Sequence, residues 1–129
     1  MPTSAGYKVL RAIGSQTSAE SAPTTSTSGW FAPDQFPGAD GLEFALSTVT
    51  KGSADVAAPI QIWLKQTVAG SATVVPYGTM SVVSGSTTVA AKQFANVPPG
   101  DWYATVGTIT GTTSSVAATM YVRPYKTPT

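Results

Sequence analysis

Glycine and proline recur along this chain at intervals too short for a long helix but sufficient for short strands. Ten prolines and twelve glycines are spread over 129 residues. Proline ends or kinks a helix and glycine weakens one, whereas both residues are favoured in turns. The segments between them are rich in valine and threonine, whose branching at Cβ suits a pleated sheet better than a helix. The chain is therefore predicted to be all-β.

Alternation of apolar and polar residues locates the strands. Residues 42–46 and 60–64 carry large apolar side chains at every second position, which is the pattern of a strand with one buried face. The second segment puts Trp63 on the face opposite its aliphatic residues. Further strands, separated by Gly, Pro and Ser turns and with Pro124 ending the last, are predicted over residues 7–13, 73–75, 80–83, 87–94, 102–110 and 116–122.

Strand signals at intervals of about 8–15 residues, with no helical pattern between them, indicate a β-sandwich. The length fits one domain. We divide the chain into an N-terminal arm, residues 1–41, which holds one short strand, and a sandwich domain, residues 42–129. Seven strands, or eight with the N-terminal one, leave two topologies open, an immunoglobulin-like sandwich and a jelly roll.

The arm has the composition of an extended segment. Residues 14–29 are small or polar and cannot bury a surface of their own, so they are predicted to be irregular. Three aromatic residues, Trp30, Phe31 and Phe36, follow at once. Because large aromatic side chains are common interface anchors, we interpret these three as contacts with neighbouring subunits. A chain without residues 1–38 is then expected to fold but not to assemble.

Several chemistries are excluded by composition. The chain has no cysteine and no histidine, and charged residues make up 10% of it, against about 25% in ordinary soluble domains. Thiol and imidazole catalysis, disulfides and the usual zinc or copper sites are thereby excluded. Asp34, Asp40 and Glu43 match no calcium-binding loop and are interpreted as solvated charges. We predict a protein that is not an enzyme and has no metal or cofactor.

Charge and hydropathy also restrict the partners. A net charge of +1, with dispersed Lys and Arg, does not form the basic surface of a nucleic-acid-binding protein. No run of about 18 apolar residues is present, so no membrane span is predicted. The first residues lack the charged and apolar regions of a secretory signal peptide. We expect neither nucleic acid nor membrane as a partner.

The segment formed by residues 94–106, FANVPPGDWYATV, resembles the corner found in fibronectin-type and other immunoglobulin-like sandwiches. In that corner a Pro-Gly turn precedes a strand whose early tyrosine packs across the corner and hydrogen-bonds to the backbone. Tyr103 occupies the matching position, which implies that it is buried. Together with the alternating strands, this gives a predicted core of Leu42, Phe44, Ile60, Ile62, Leu64 and Tyr103.

The chain as a whole resembles the small accessory structural proteins of tailed bacteriophage virions, such as head decoration or cement proteins. The likeness lies in a Cys-free β-sandwich rich in Ser, Thr, Ala and Gly, with a low-complexity arm and a proline-containing tail over residues 123–129. It implies a location in the virion, the major capsid protein or other virion proteins as partners, and a homo-oligomer. The arm and its aromatic residues would make the contacts.

Tryptophan supports an alternative function. Trp30, Trp63 and Trp102 are candidates for a platform on which sugar rings stack, with Trp63 and Trp102 as the exposed pair of a carbohydrate-binding, host-adhesion module. Packing in a core or an interface is the competing use of such residues. The surface that the aromatic side chains occupy distinguishes the two functions.

Overall fold

A computed structural model describes residues 6–32 and 39–126, and every regular element in those ranges is a β-strand. The predicted all-β fold is confirmed. The strands are β1 (Lys8–Gln16), β2 (Gly41–Lys51), β3 (Ala58–Val68), β4 (Ser71–Val82), β5 (Lys92–Ala95), β6 (Asp101–Val106) and β7 (Val116–Tyr125). The described residues include no helix able to cross a membrane.

The strands form two antiparallel sheets that pack face to face as a sandwich. The first sheet has the order β1-β7-β2-β5 and the second the order β4-β3-β6. Since β1 pairs with β7 along its length, the sandwich begins at Lys8 and not at Leu42, where we placed the domain boundary. The N-terminal strand predicted over residues 7–13 is therefore a structural member of the sheet.

The strand order distinguishes between the two topologies that the sequence left open. In an immunoglobulin-like sandwich the last two strands are neighbours in one sheet. Here β6 and β7 lie in different sheets, and β7 lies between β1 and β2. Of the six connections between consecutive strands, β1–β2 and β3–β4 join strands of the same sheet, and the other four cross between the sheets. This winding is that of a jelly roll.

The arm takes the place of an eighth strand beside β6. Phe31 and Trp102 exchange backbone hydrogen bonds of 2.9 and 2.7 Å, and the amide of Glu20 donates to the carbonyl of Val106 at 2.9 Å. Between these points Arg11 donates to the carbonyl of Ala104 at 2.7 Å. Residues 17–29 are irregular, as predicted, whereas residues 14–16, also predicted to be irregular, belong to β1. The backbone of the arm and the side chains of Arg11 and Glu20 bond to the edge of β6 that would otherwise be unpaired.

The core contains nearly all the residues expected there. Leu42, Phe44, Ile60, Ile62 and Leu64 are at most 1% exposed. Tyr103, also predicted to be buried, lies instead on the outer face of the second sheet, and its neighbour Trp102 points inward with 1% exposure. Alternation along β6 puts adjacent residues on opposite faces, so only one of the two can enter the core.

Several predicted strand limits were wrong, and β6 for example ends at Val106 and not at residue 110. The break expected at residues 76–78 is absent, because β4 continues through Pro76 and accommodates Tyr77 as a bulge opposite β3. An edge strand tolerates proline, since one side of it needs no hydrogen bonds. β7 likewise continues through Pro124, past the last residue that pairs with β1. The strand predicted over residues 87–94 is reduced to Lys92–Ala95, where pairing with β2 begins.

Candidate functional site

The outer face of the second sheet carries four flat side chains in a line across the strands. Trp63 on β3 is the register partner of Tyr103 on β6 and of Pro76 on β4. Trp30 of the arm lies beyond Tyr103, with 5.5 Å between their ring centroids and 43° between their planes. We call Trp30, Tyr103, Trp63 and Pro76 the ring row.

The backbone bridge of the arm to β6 explains how Trp30 reaches this face. Phe31 is bonded to Trp102 and packs against the core, so the preceding side chain points to the opposite side. The Trp30 indole N–H donates to the carbonyl of Thr24 at 3.2 Å, and the Lys65 ammonium lies 5.0 Å from its ring centroid. A lysine at that distance is attracted by the negative face of the ring.

Trp63 is held against the sheet and remains partly exposed. Its indole N–H donates to the Thr105 hydroxyl at 2.8 Å, so the indole leans from β3 over β6. Thr105 is only 5% exposed although it is on the outer face. Trp63 itself is half-buried. The indole therefore covers Thr105 and keeps part of its own surface open to solvent.

Polar side chains border the ring row on both sides. Lys65 and Asp101, register partners on β3 and β6, lie on one side with 3.9 Å between Nζ and Oδ2. On the other side lie Gln61 and its partner Thr79, whose hydroxyl donates to Gln61 Oε1 at 3.4 Å. The row is thus an apolar line flanked by hydrogen-bonding groups.

The predicted sugar platform of Trp63 and Trp102 does not exist as a pair. The two side chains project from opposite faces of one sheet, because Trp102 is the partner of Leu64 and not of Trp63. Trp102 lies in the core against Phe44 and Tyr77, with ring centroids 5.3 and 4.9 Å away. Of the predicted pair only Trp63 lies on the outer face, beside Tyr103, a neighbour that the sequence analysis did not indicate.

Two of the three predicted interface residues of the arm lie within the described part of the chain. Trp30 and Phe31, interpreted as contacts with neighbouring subunits, both pack on their own sandwich. Part of their apolar surface anchors the arm along β6, and part stays open, since both side chains are half-buried. Phe36 lies outside the described residues, and its interface role stays a prediction.

An ion pair holds the beginning of the arm. The Arg11 guanidinium donates two hydrogen bonds to the Glu20 carboxylate, of 2.8 and 2.7 Å, and the guanidinium carbon lies 4.7 Å from the Tyr103 ring centroid. Glu20 Oε1 also accepts the amide of Val106 at 3.0 Å. Desolvation raises the pKa of Glu20, but the bonds from Arg11 and Val106 outweigh it and hold the pKa below its usual value.

The outer face of the first sheet has a second group of aromatic and charged residues. Glu43, 8% exposed, accepts hydrogen bonds from the Tyr7 hydroxyl at 2.7 Å and from Arg123 Nε at 2.6 Å. The guanidinium carbon of Arg123 lies 4.1 Å from the Tyr7 ring centroid, and the Tyr7 and Tyr121 rings meet edge to face at 6.5 Å. Val9 is the register partner of Tyr121. We call Tyr7, Val9, Glu43, Tyr121 and Arg123 the tyrosine face.

The charges of the tyrosine face are coupled. Burial and the hydrogen bond to Glu43 raise the pKa of Tyr7 to about 12. Desolvation raises the pKa of Glu43, whereas hydrogen bonds from Tyr7, Arg123 and Gln93 lower it, and the balance leaves it below its ordinary value of 4.5. Glu43 is therefore a partnered carboxylate at neutral pH and not the solvated charge that we predicted.

The three acids considered for a cation do not gather in the described chain. Glu43 is bound to Tyr7, Gln93 and Arg123, and the backbone amide of Asp40 donates to the carbonyl of Tyr125 at 2.8 Å. Asp34 lies outside the described residues. Within residues 6–32 and 39–126 no three acidic side chains are close enough together to hold a metal ion.

We expect the protein to lose stability in acid, in part because Glu43 becomes protonated. A carboxylate whose pKa is lowered by folding contributes stability that is fully present above its unfolded-state pKa and is lost as the pH falls through the folded-state pKa. The variant Glu43→Gln should be less stable than the natural chain at neutral pH and should change less in melting temperature between about pH 6 and pH 3. Thermal melts at a series of pH values measure both effects.

Glu20→Gln provides a comparison for that series, because the pKa of Glu20 is lowered in the same direction. Each single variant should flatten part of the pH dependence, and the double variant should flatten more of it. A Glu43→Gln profile parallel to that of the natural chain would show that the bonds to Tyr7 and Arg123 contribute no pH-dependent stability.

Comparisons with known proteins add no assignment to this geometry. No family model, no curated protein and no solved structure matches the chain. The ring row and the tyrosine face are therefore interpreted from their own chemistry.

Proposed function

We propose that this protein is a non-enzymatic structural component of a tailed bacteriophage virion, where it decorates or cements the capsid as a homo-oligomer. The proposal extends the resemblance drawn from the whole chain. The observation that carries it is the tyrosine face, an exposed group of apolar and aromatic side chains around a partnered ion pair. Its partners would be copies of itself and the major capsid protein or other virion proteins.

The tyrosine face has the composition of an interface between proteins. Tyr7 is 38% exposed and Val9 is 49% exposed, although both are large and apolar. Tyrosine and arginine are enriched among the residues that dominate binding energy, and the core of an interface contains few unpaired charges. Glu43 and Arg123 already neutralise each other, so covering them would bury no isolated charge.

The jelly-roll winding supports the proposal by analogy of fold alone. Double-sheet jelly rolls occur in viral capsid proteins, and also in lectins and cupins. One fold serves many functions, so the winding is compatible with a virion protein without selecting it. The proposal takes the tyrosine face of the first sheet as the contact surface, because Trp30 and Phe31 of the arm pack against the chain's own sandwich.

Purified particles test the location, and a matched pair of variants tests the surface. We expect the chain in gradient-purified virions of the phage that encodes it, at a copy number set by capsid symmetry. Recombinant protein should be oligomeric by light scattering after size exclusion. Val9→Asp, on the tyrosine face, should abolish self-association and particle binding. Val68→Asp should leave both unchanged, since Val68 is 58% exposed at the end of β3, outside that face.

The results separate the parts of the proposal. Absence of the chain from purified virions would overturn the virion assignment. A Val9→Asp variant that assembles as well as Val68→Asp would exclude the tyrosine face as the contact surface. Circular dichroism of both variants serves as the control for folding.

A further inference from the structure

The ring row is a second surface that the proposed assembly does not use, and its dimensions fit an extended ligand. It runs across the arm, β6, β3 and β4. The step from Trp30 to Tyr103 is 5.5 Å between ring centroids, and strands in a sheet lie about 4.8 Å apart. The four side chains therefore form a line of about 15 Å. A line of this length accommodates several units of a chain-like ligand.

The charges near the row are compensated within the protein. Lys65 is partnered with Asp101, and Arg11 with Glu20. Gln61 and Thr79, the other polar side chains that border the row, are neutral. Lys92 approaches from the side of the edge strand β4, where its ammonium donates to the carbonyl of Thr79 at 3.1 Å. A ligand on this face consequently meets aromatic surface, hydroxyl and amide groups and two ion pairs, without an excess of either sign. That balance suits an uncharged ligand.

The balance of charge favours an uncharged ligand over single-stranded nucleic acid, which also stacks on aromatic rings. Surfaces for single-stranded nucleic acid combine aromatic platforms with a positively charged groove that follows the phosphates. At the ring row the nearby cations are already paired with carboxylates, so the phosphate-binding component is missing from the described part of this face. An extended peptide added to the edge of β6 is excluded too, because the arm bonds to that edge.

A neutral sugar chain matches both properties of the site. The ring of a pyranose has a face of C–H groups, slightly positive, and an edge of hydroxyl groups. The C–H face fits the negative π-face of tryptophan or tyrosine, and the hydroxyls reach donors and acceptors placed beside the rings. The ring row supplies the first element chiefly through Trp63, since Lys65 and Arg11 lie against the rings of Trp30 and Tyr103. Lys65, Asp101 and Gln61 supply the second.

We propose that the ring row binds a neutral polysaccharide whose chain runs across the strands of the second sheet, with Trp63 as the central stacking residue. The site includes Tyr103 and Trp30 but not the core residue Trp102. It lies on the sheet opposite the tyrosine face, so a chain that assembles through the first sheet can present the second one to a cell surface or capsule.

The three tryptophans make an internal control possible in the unmodified protein. Titration with soluble neutral polysaccharides (dextran, mannan, galactomannan and xyloglucan) should shift the indole N–H signals of Trp30 and Trp63 in nitrogen–proton correlation spectra. The signal of Trp102 should stay in place, because that side chain is 1% exposed. Equal shifts of all three signals, or none with any of the four polysaccharides, would overturn the proposal.

Affinity measurements with matched variants complete the test. Trp63→Ala should weaken binding of the best polysaccharide by at least about tenfold, as expected for a central aromatic anchor. Val68→Ala removes an exposed apolar side chain at the end of β3, outside both the ring row and the tyrosine face, and should leave the affinity unchanged. An equal loss in both variants would contradict the proposal. Binding of oligo(dT) in preference to the polysaccharides would also contradict it and would assign the row to nucleic acid.

Discussion

Deleting residues 1–38 is expected to abolish cooperative folding. The deletion removes β1, which pairs with β7, and with it Leu10 and Ile13, which are 5% and 4% exposed. Truncating one such buried side chain to alanine costs about 2–5 kcal/mol. Two of them, together with a strand and the cover over β6, represent most of the about 5–15 kcal/mol that stabilises a typical domain.

Denaturant titration followed by tryptophan fluorescence measures this effect. The truncated chain should show no cooperative transition, whereas a chain lacking only residues 1–5, which retains β1, should unfold like the natural protein. A sandwich that remains folded and stable without residues 1–38 would show that folding does not need β1 and the arm, as the sequence analysis predicted.

The role of the arm could not be read from its composition, although its irregular conformation could. Residues 17–29 form no strand, as small and polar side chains predict. Their contact with β6 depends on backbone groups of Glu20 and Phe31, which any residue type carries, together with the Glu20 carboxylate. The sequence does contain one indication that the arm contacts the sandwich. Glu20 is the only charged residue between positions 14 and 29, and its partner Arg11 lies nine residues earlier.

The sequence predicted which side chains point into the core where apolar and polar residues alternate clearly, and it did not do so elsewhere. Apolar residues at every second position placed Leu42 and Ile62 in the core correctly. Pro76 was interpreted as a break because the sequence does not show that β4 is an edge strand, where a missing amide has no cost. The tyrosine face was missed for a related reason, since Tyr7, Glu43 and Arg123 are distant in sequence and meet only through strand pairing.

The adjacent pair Trp102 and Tyr103 shows where alternation gives no answer. Both side chains are large and amphipathic, so either could face inward, and the resemblance to an immunoglobulin-like corner favoured Tyr103. The register of the strands in the jelly roll decides which of the two side chains faces inward. Leu64, a core residue, is the partner of Trp102, whereas Trp63 on the outer face is the partner of Tyr103. A shift of one residue in pairing would exchange the two faces.

Trp102→Ala is therefore expected to be the most damaging single truncation of a tryptophan in this chain, at about 3–5 kcal/mol. The side chain is 1% exposed and contacts the rings of Phe44 and Tyr77. Removing it leaves a cavity between the sheets that neighbours on regular strands cannot fill.

Trp63→Ala is the matched comparison, because it removes the same side chain from the other face of the same sheet. It loses one hydrogen bond to Thr105 and part of a half-exposed surface, so its cost should be clearly smaller. Equilibrium unfolding of the two variants in urea gives both free energies under one set of conditions. Equal costs, or a larger cost for Trp63→Ala, would place Trp63 in the core and reverse the facing of β3 and β6, along with the ring row that depends on it.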